Sequence, residues 1–443
     1  MRQGDPSHAE RDPLPCYLPL GLRSESDASL VFRDARQAGV LMNAAHRSKF
    51  SARQLAVGLA GYCAFVNLYA PQSILPLLSR EFNASAAQVS SIITVSTLAV
   101  AVTAPFTGAV ADVLGRKRVI VAALFLLVLP TLMVGMADSL SAIIFWRAVQ
   151  GFILPPIFAV TIAYIGDEWP AHEATTAAGI YSSGSSLGGF SGRLITGLLA
   201  DLIGWRAGFD ALALIAFAGA IAVAFLLPPE RKFVRSEGLL ASSRQMLKHF
   251  RNRQLLATYA VGFGVLFNFI CTFTYISFHL AAAPYNLSAS WLGAIFVVYL
   301  TGSVLTPWTG WAVTRFGRRR FTARVIMLWI AGIGLTLVPS LPVIILGLAI
   351  SAGCGLICQA ISTGYVTITA KAGRSSAVGL YVTSFYTGGS FGAALGGLAW
   401  TYGGWPACAA IVAVMLIFML SIIIFGWARR VPAATSLPPI EPP

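Results

Sequence analysis

The stretch Pro105-Phe106-Thr107-Gly108-Ala109-Val110-Ala111-Asp112-Val113-Leu114-Gly115-Arg116-Lys117-Arg118 has a counterpart at a constant offset of 202 residues, Pro307-Trp308-Thr309-Gly310 followed by Gly317-Arg318-Arg319-Arg320. In each copy an apolar run ends in a glycine and is followed at once by a basic cluster. A second frame also repeats: Gly184, Gly188 and Gly192 before Gly204-Trp205 answer to Gly388, Gly392 and Gly396 before Gly404-Trp405. Fixed-offset self-similarity is the mark of a duplicated architecture and takes precedence over local motifs.

What surrounds the repeats decides the solvent. Of 443 residues 56% are apolar and 11% charged, and the mean hydropathy is +0.74. Soluble domains run about 45–50% apolar and about 25% charged, so a soluble enzyme is excluded. The net charge of +14 does not point to nucleic acid, because the basic residues cluster between apolar runs, near Arg116, Arg231 to Arg253 and Arg315 to Arg324. That is how loops facing anionic lipid are built. Five of the six cysteines lie inside apolar runs (Cys63, Cys271, Cys354, Cys358, Cys408) and read as small packing residues. No metal site and no cofactor are expected.

Apolar segments fall at 54–78, 88–111, 119–137, 141–166, 174–200, 206–228, 254–281, 290–313, 321–339, 341–369, 375–401 and 405–427. At roughly 20 residues per bilayer crossing, this predicts an all-α integral membrane protein of twelve transmembrane helices. The expected organisation is a disordered cytoplasmic tail over 1–52, a six-helix bundle over 53–228, a cytoplasmic linker over 229–253, a second bundle over 254–428 and a tail over 429–443. Met42-Asn-Ala-Ala-His resembles a natural start, so residues 1–41 are expected to be dispensable. Among Lys and Arg near the predicted segment ends, only Arg80 and Arg206 fall on the face opposite the basic loops. That bias predicts cytoplasmic N- and C-termini. Two parallel six-helix repeats joined by a linker suit a secondary transporter with its site between them near the bilayer midplane.

Gly108-Ala-Val-Ala-Asp112-Val-Leu-Gly115-Arg116-Lys117 resembles the loop 2–3 signature of the major facilitator superfamily, and Arg147-Ala-Val-Gln150-Gly151 resembles that family's second motif. Segment 5, with Gly184-Ser-Ser-Leu-Gly188, Gly192-Arg193 and Gly204-Trp205-Arg206, looks most like the YnfM-like group of efflux permeases. It lacks the proline usual after the central glycine of the antiporter motif. The resemblance implies that Gly108, Asp112, Gly115, Arg116 and Lys117 form a gate in which Asp112 meets the N-terminus of segment 11, latching the cytoplasmic side. A carboxylate so placed gains roughly 0.3–1 kcal/mol, up to about 2 when partly buried. The second copy carries the uncharged Thr314 there, so the latch is expected to be one-sided.

Arg147 and Arg193 lie deeper within the apolar segments than any other Lys or Arg residue, and ions at such depth mark pathways or coupling sites by default. Asp201 and Asp210 are their candidate carboxylate partners, with Asp210 the candidate for proton coupling. The family pattern puts segments 1, 4, 7 and 10 around the cavity, which nominates Asn67, Tyr69, Gln72, Gln150, Asn268, Tyr275 and Gln359 as cavity residues. The Gly- and Ser-rich run of segment 5 reads as close helix packing, and Pro155-Pro156 is expected to break segment 4 locally. The function expected is an efflux permease of a bacterial inner membrane that exports a small organic compound by alternating access. Anionic or carbonyl-rich cargo is favoured, a monomer is expected, and protons are the candidate coupling ion. Uptake by the same fold, a transport-dead sensor and a polytopic membrane enzyme are the alternatives; for the last, no reactive cluster is visible.

Overall fold

The computed structural model describes residues 51–230, 249–370 and 374–427. The expectations for the N-terminal tail, for most of the linker and for the C-terminal tail lie outside the described residues. Within them the chain forms α1 (Ala52–Leu68), a 3-10 turn (Ala70–Ser73), α2 (Leu75–Glu81), α3 (Ala86–Leu114), α4 (Arg116–Gly135), α5 (Leu140–Glu168), α6 (Ala171–Leu202) and α7 (Trp205–Leu226). After the linker come α8 (Arg253–Ala281), α9 (Ala289–Phe316, with two 3-10 turns inside it), α10 (Arg318–Leu335), α11 (Leu341–Thr369) and α12 (Arg374–Gly426).

Eight of these helices are long and apolar enough to cross a membrane: α3, α4, α5, α7, α8, α9, α11 and α12. The remainder have local reasons. Segment 1 is interrupted after Leu68 by Tyr69 and Pro71, α6 is diluted by serine and glycine, and α10 opens on three arginines. Segments 11 and 12 run together as α12, with non-helical backbone at Gly403 and Gly404 marking the expected corner. Pro155 and Pro156 do not end α5, which runs from Leu140 to Glu168. The carbonyls they leave without amide donors are those of Gly151, which is buried, and Phe152, which is half exposed.

The repeated glycines make repeated corners. Gly115 joins α3 to α4 at φ +91°, and Gly317 joins α9 to α10 at φ +77°. Only a residue without Cβ adopts such a conformation readily, which lets one residue turn the chain between two long helices. Serine and glutamine at the other end of α3 form a capping box, with Gln88 N–H donating to Ser85 Oγ (3.2 Å) and Ser85 N–H to Gln88 Oε1 (2.8 Å).

Glycine stripes set helix spacing. A Cβ at Gly184, Gly188 or Gly192 of α6 would run into the carbonyl oxygen of Gly58, Tyr62 or Val66 of α1. Gly388 and Gly392 of α12 stand in the same way against Phe263 and Phe267 of α8. In lipid, where apolar burial alone does not bring helices together, such close backbone approach supplies the dispersion contact that does. The expectation that segment 5 is a packing helix agrees with this geometry.

The face carrying Gly115 to Arg118 is called here the motif face, and the opposite one the far face. Toward the far face α3 meets α12 and α6 meets α9. Thr97 Oγ1 and Ser390 Oγ are 2.9 Å apart, Tyr275 donates to Ser90 Oγ at 2.7 Å, and the backbones of Gly197 and Ala289 touch. At the motif end of α3, by contrast, space beside Gly108 is open. The close approach of α1 and α6 predicts that Gly192→Val lowers the midpoint of thermal unfolding in detergent by an amount equivalent to about 1–3 kcal/mol of overpacking. Gly179→Val, made where the same helix faces open space, serves as the control and should leave the midpoint nearly unchanged.

Candidate functional site

The site begins with a defect in α1. The carbonyl of Asn67 would accept from the amide four residues on, but that residue is Pro71 and has no N–H. The carbonyl of Leu68 loses its donor because Gln72 N–H turns back to Tyr69 O (3.1 Å). Arg147, fully buried on α5, supplies both missing donors: Nη1 donates to Asn67 O at 2.9 Å and Nη2 to Leu68 O. The same guanidinium donates to Gln150 Oε1 (2.6 Å), one turn along α5, and to Ser96 Oγ of α3 (3.2 Å). Gln150 Nε2 continues to Thr131 Oγ1 (2.8 Å), whose hydroxyl lies 3.1 Å from Asn67 Oδ1, and Asn67 Nδ2 closes on Cys63 O at 3.0 Å. Only Arg147 Nε has no partner.

Arg193, one helix away on α6, is 1% exposed. Its Nε and Nη2 both donate to a single acceptor, Gln72 Oε1, with the Nε contact at 2.8 Å, and its Nη1 donates to Gly189 O. The aromatic rings of Tyr69 (4.9 Å), Phe296 (4.3 Å) and Tyr299 (5.0 Å) surround the guanidinium carbon. Gln72 Nε2 passes the chain on to Thr274 Oγ1 of α8 at 3.1 Å. Arg193 therefore touches residues from both sides of the linker.

Neither arginine is paired with a carboxylate among the described residues, which corrects the expected partners. Asp201 instead accepts from the N-terminal amides of α9, Ala289 (3.3 Å) and Ser290 (2.8 Å). Asp210 is exposed near the start of α7, with its carboxylate beside Gly135. Both sit near helix ends, Asp201 on backbone donors and Asp210 at the exposed surface.

The nominated cavity residues divide. Asn67, Tyr69, Gln72, Arg147, Gln150 and Arg193 gather around the break in α1. Tyr275 lies elsewhere, holding α8 to α3 through Ser90 and to α12 through Ala393 O. Asn268 is buried with Nδ2 on Met419 Sδ (3.3 Å) and Oδ1 without a partner. Gln359 is half-buried on α11 and joins neither network. Toward the motif face Phe158 stacks on Tyr386 at 5.6 Å, joining α5 to α12.

In the motif loop Asp112 pairs with Arg116 (3.7 Å) and is half-exposed. Arg116 also pairs with Asp167 and donates to Ala163 O at 2.6 Å. Glu230, at the start of the linker, fills the space beside Gly115 and accepts from Lys117 N–H at 2.9 Å. Asp167 and Glu230 were missed by sequence reasoning, and nothing in their spacing announces them. The ring cluster of Phe296 and Tyr299 was missed as well. The role of Arg147 had a signal, the proline placed four residues after Asn67.

The sequence matches the family profile of the Major Facilitator Superfamily over residues 57–298 and 272–442. It is 33% identical to the inner membrane transport protein YnfM of Escherichia coli (strain K12), covering 83% of this chain and 88% of that one. It is 29% identical to an uncharacterized transporter of Buchnera aphidicola subsp. Schizaphis graminum, over 84% and 90% of the two chains. Among solved structures, the human organic anion transporter MFSD10 superposes with a TM-score of 0.65 at 16% identity, over 85% of this chain and all of that one. Family and fold make this chain a multi-pass membrane transporter rather than an enzyme.

Because Arg147 closes a broken helix end, its truncation is expected to destabilise the fold. Arg147→Met leaves two buried carbonyls unpaired, at about 1–3 kcal/mol each, and should lower the unfolding midpoint sharply. Arg147→Lys, which keeps the charge but not the fork of donors, should fall between. Differential scanning fluorimetry on the purified proteins checks the order.

Proposed function

Because the chain belongs to the Major Facilitator Superfamily, we propose that it is a secondary transporter of twelve membrane segments in two six-helix halves, moving a small organic compound by alternating access. The repeated corners at Gly115 and Gly317 and at Gly204 and Gly404 support the two halves. The linker over 229–253 is the divide between them. The motif face is the cytoplasmic one in this reading, on the Lys and Arg bias, and the membrane is a bacterial inner membrane, as the name of the Escherichia coli relative suggests. Far-face contacts with open space at the motif end of α3 then correspond to an inward-facing state.

The observation that carries the reading is the pair of buried guanidinium groups at the break of α1, one of which touches α9 directly and α8 through Gln72. Charge at that depth is expensive unless it is used, and its sign favours anionic or carbonyl-rich cargo over cations. The outward direction rests on the likeness of segment 5 to efflux permeases, and uptake is the alternative on the same geometry. One chain encloses both halves, so a monomer suffices. Asp112 latches the cytoplasmic side in the opposite, outward-facing state, and Asp210 is the residue to test for proton coupling.

Three measurements test these proposals. In proteoliposomes the protein should drive flux of an organic anion and not of a permanent cation; the reverse selectivity would overturn the cargo assignment. Asp210→Asn should weaken flux driven by a pH gradient, and wild-type flux indifferent to that gradient removes proton coupling. Asp112→Asn should raise the accessibility of cysteines placed at the motif face, since it removes the latch of the outward-facing state and costs the present one only a half-exposed pair with Arg116; unchanged accessibility counts against the latch.

A further inference from the structure

Arg147 and Arg193 look alike in the sequence, but their partners differ in kind. Arg147 is held by backbone carbonyls fixed in place by the end of α1, together with side chains of α3 and α5. Arg193 presents its Nε and Nη2 edge to one oxygen of one movable side chain, Gln72. That edge is the part of a guanidinium that takes both oxygens of a carboxylate in parallel. Here it is occupied by a neutral amide oxygen that offers no charge. Phe296, Tyr299 and Tyr69 exclude water from the guanidinium, so a cation stands in an apolar environment with no described anion beside it, the arrangement in which an arriving anion gains most.

We infer that the Nε and Nη2 edge of Arg193 is the binding site for the carboxylate of a small organic monoanion, and that Gln72 occupies it as a neutral placeholder. The placeholder has a second bond. Gln72 Nε2 donates to Thr274 of α8, so an anion that displaces Gln72 from Arg193 also frees the amide from the partner that ties the 3-10 turn after α1 to α8. Cargo binding thereby loosens a contact between α2's approach and α8, on the side where α6 and α9 are also packed. The site assignment stands on the contacts of Arg193 alone; the loosening rests on the alternating-access reading above.

Gln72→Glu builds the anion in. The carboxylate would pair with Arg193 permanently, accepting a hydrogen bond from the Thr274 hydroxyl in place of donating one. The variant should unfold at a higher temperature than wild type in detergent, fail to respond to added carboxylate, and lose flux. Gln72→Ala removes the competitor and should bind carboxylate about tenfold more tightly, the equivalent of one competing hydrogen bond to a charged group. The probes are benzoate, cyclohexanecarboxylate and hexanoate, with benzamide as the uncharged isostere of benzoate, read by thermal shift and by isothermal titration. Stabilisation of wild type by at least one carboxylate, absent with benzamide and absent in Gln72→Glu, supports the site. It is overturned if none of the three carboxylates stabilises either wild type or Gln72→Ala, if benzamide acts as benzoate does, or if Gln72→Glu responds as wild type does. Carboxylate binding without flux in proteoliposomes would count against the transport reading and leave the site standing, whereas flux without any carboxylate effect would sink the site alone.

Discussion

Two carbonyl oxygens at the end of α1 organise the centre of this protein. Pro71 withholds a donor from the last turn of α1, where the helix ends, and in lipid the carbonyls so exposed have no water to turn to. Arg147 meets them from α5, and its charge suits the negative end of a helix. Once that guanidinium is placed, the positions of Gln150, Thr131 and Asn67 follow, because each satisfies the polar atom left over by the one before. The break also frees the 3-10 turn to carry Gln72 and Ser73 sideways, where Ser73 Oγ donates to Arg193 O at 2.8 Å. A continuous α1 would deliver neither residue to α6.

Glycine spacing makes this arrangement possible. Arg193 reaches Gln72 only because α1 and α6 touch backbone to backbone along Gly184, Gly188 and Gly192, the last of these one residue before the arginine. At Gly293 of α9 the same device brings a third helix against the backbone of Arg193 and Leu194, which sets Phe296 and Tyr299 over the guanidinium. Small residues thus fix where the large charged one can go, and the ring cluster follows from helix spacing.

The helical class, the paired corners and the placement of both arginines inside long helices were legible in the sequence, since each depends on composition or on a fixed offset. The arginines' partners were misjudged. Asp201 and Asp210 follow Arg193 closely in sequence, but a guanidinium buried among helices can be satisfied by carbonyls, and carbonyls carry no signal in side-chain identity. Pro155-Pro156 misled for a related reason: proline removes a donor, and whether the helix then breaks depends on what packs around it. Asp167 and Glu230 became visible only when folding brought α5 and the linker start beside Arg116 and Lys117. Contacts of that kind depend on which loops share a face, which the Lys and Arg bias suggests, and on reach across it, which it does not.

The two acidic residues at helix ends share a further pattern. Asp112 ends α3 in the first copy of the repeat, and Thr314 stands at the same place in the second. Asp201 ends α6 three residues before Gly204, and Thr401 holds the matching place before Gly404. Asp201 serves the N-terminal amides of α9 across the repeat boundary, whereas the corresponding helix start at Ser85 is capped from within by Gln88. In both frames the first copy carries the charge and the second a neutral hydroxyl. A carboxylate at a helix N-terminus is worth roughly 0.3–1 kcal/mol, a bias small enough for cargo binding to reverse. Of the two, Asp201 stands on such a helix start, whereas Asp112 pairs with Arg116 one turn along.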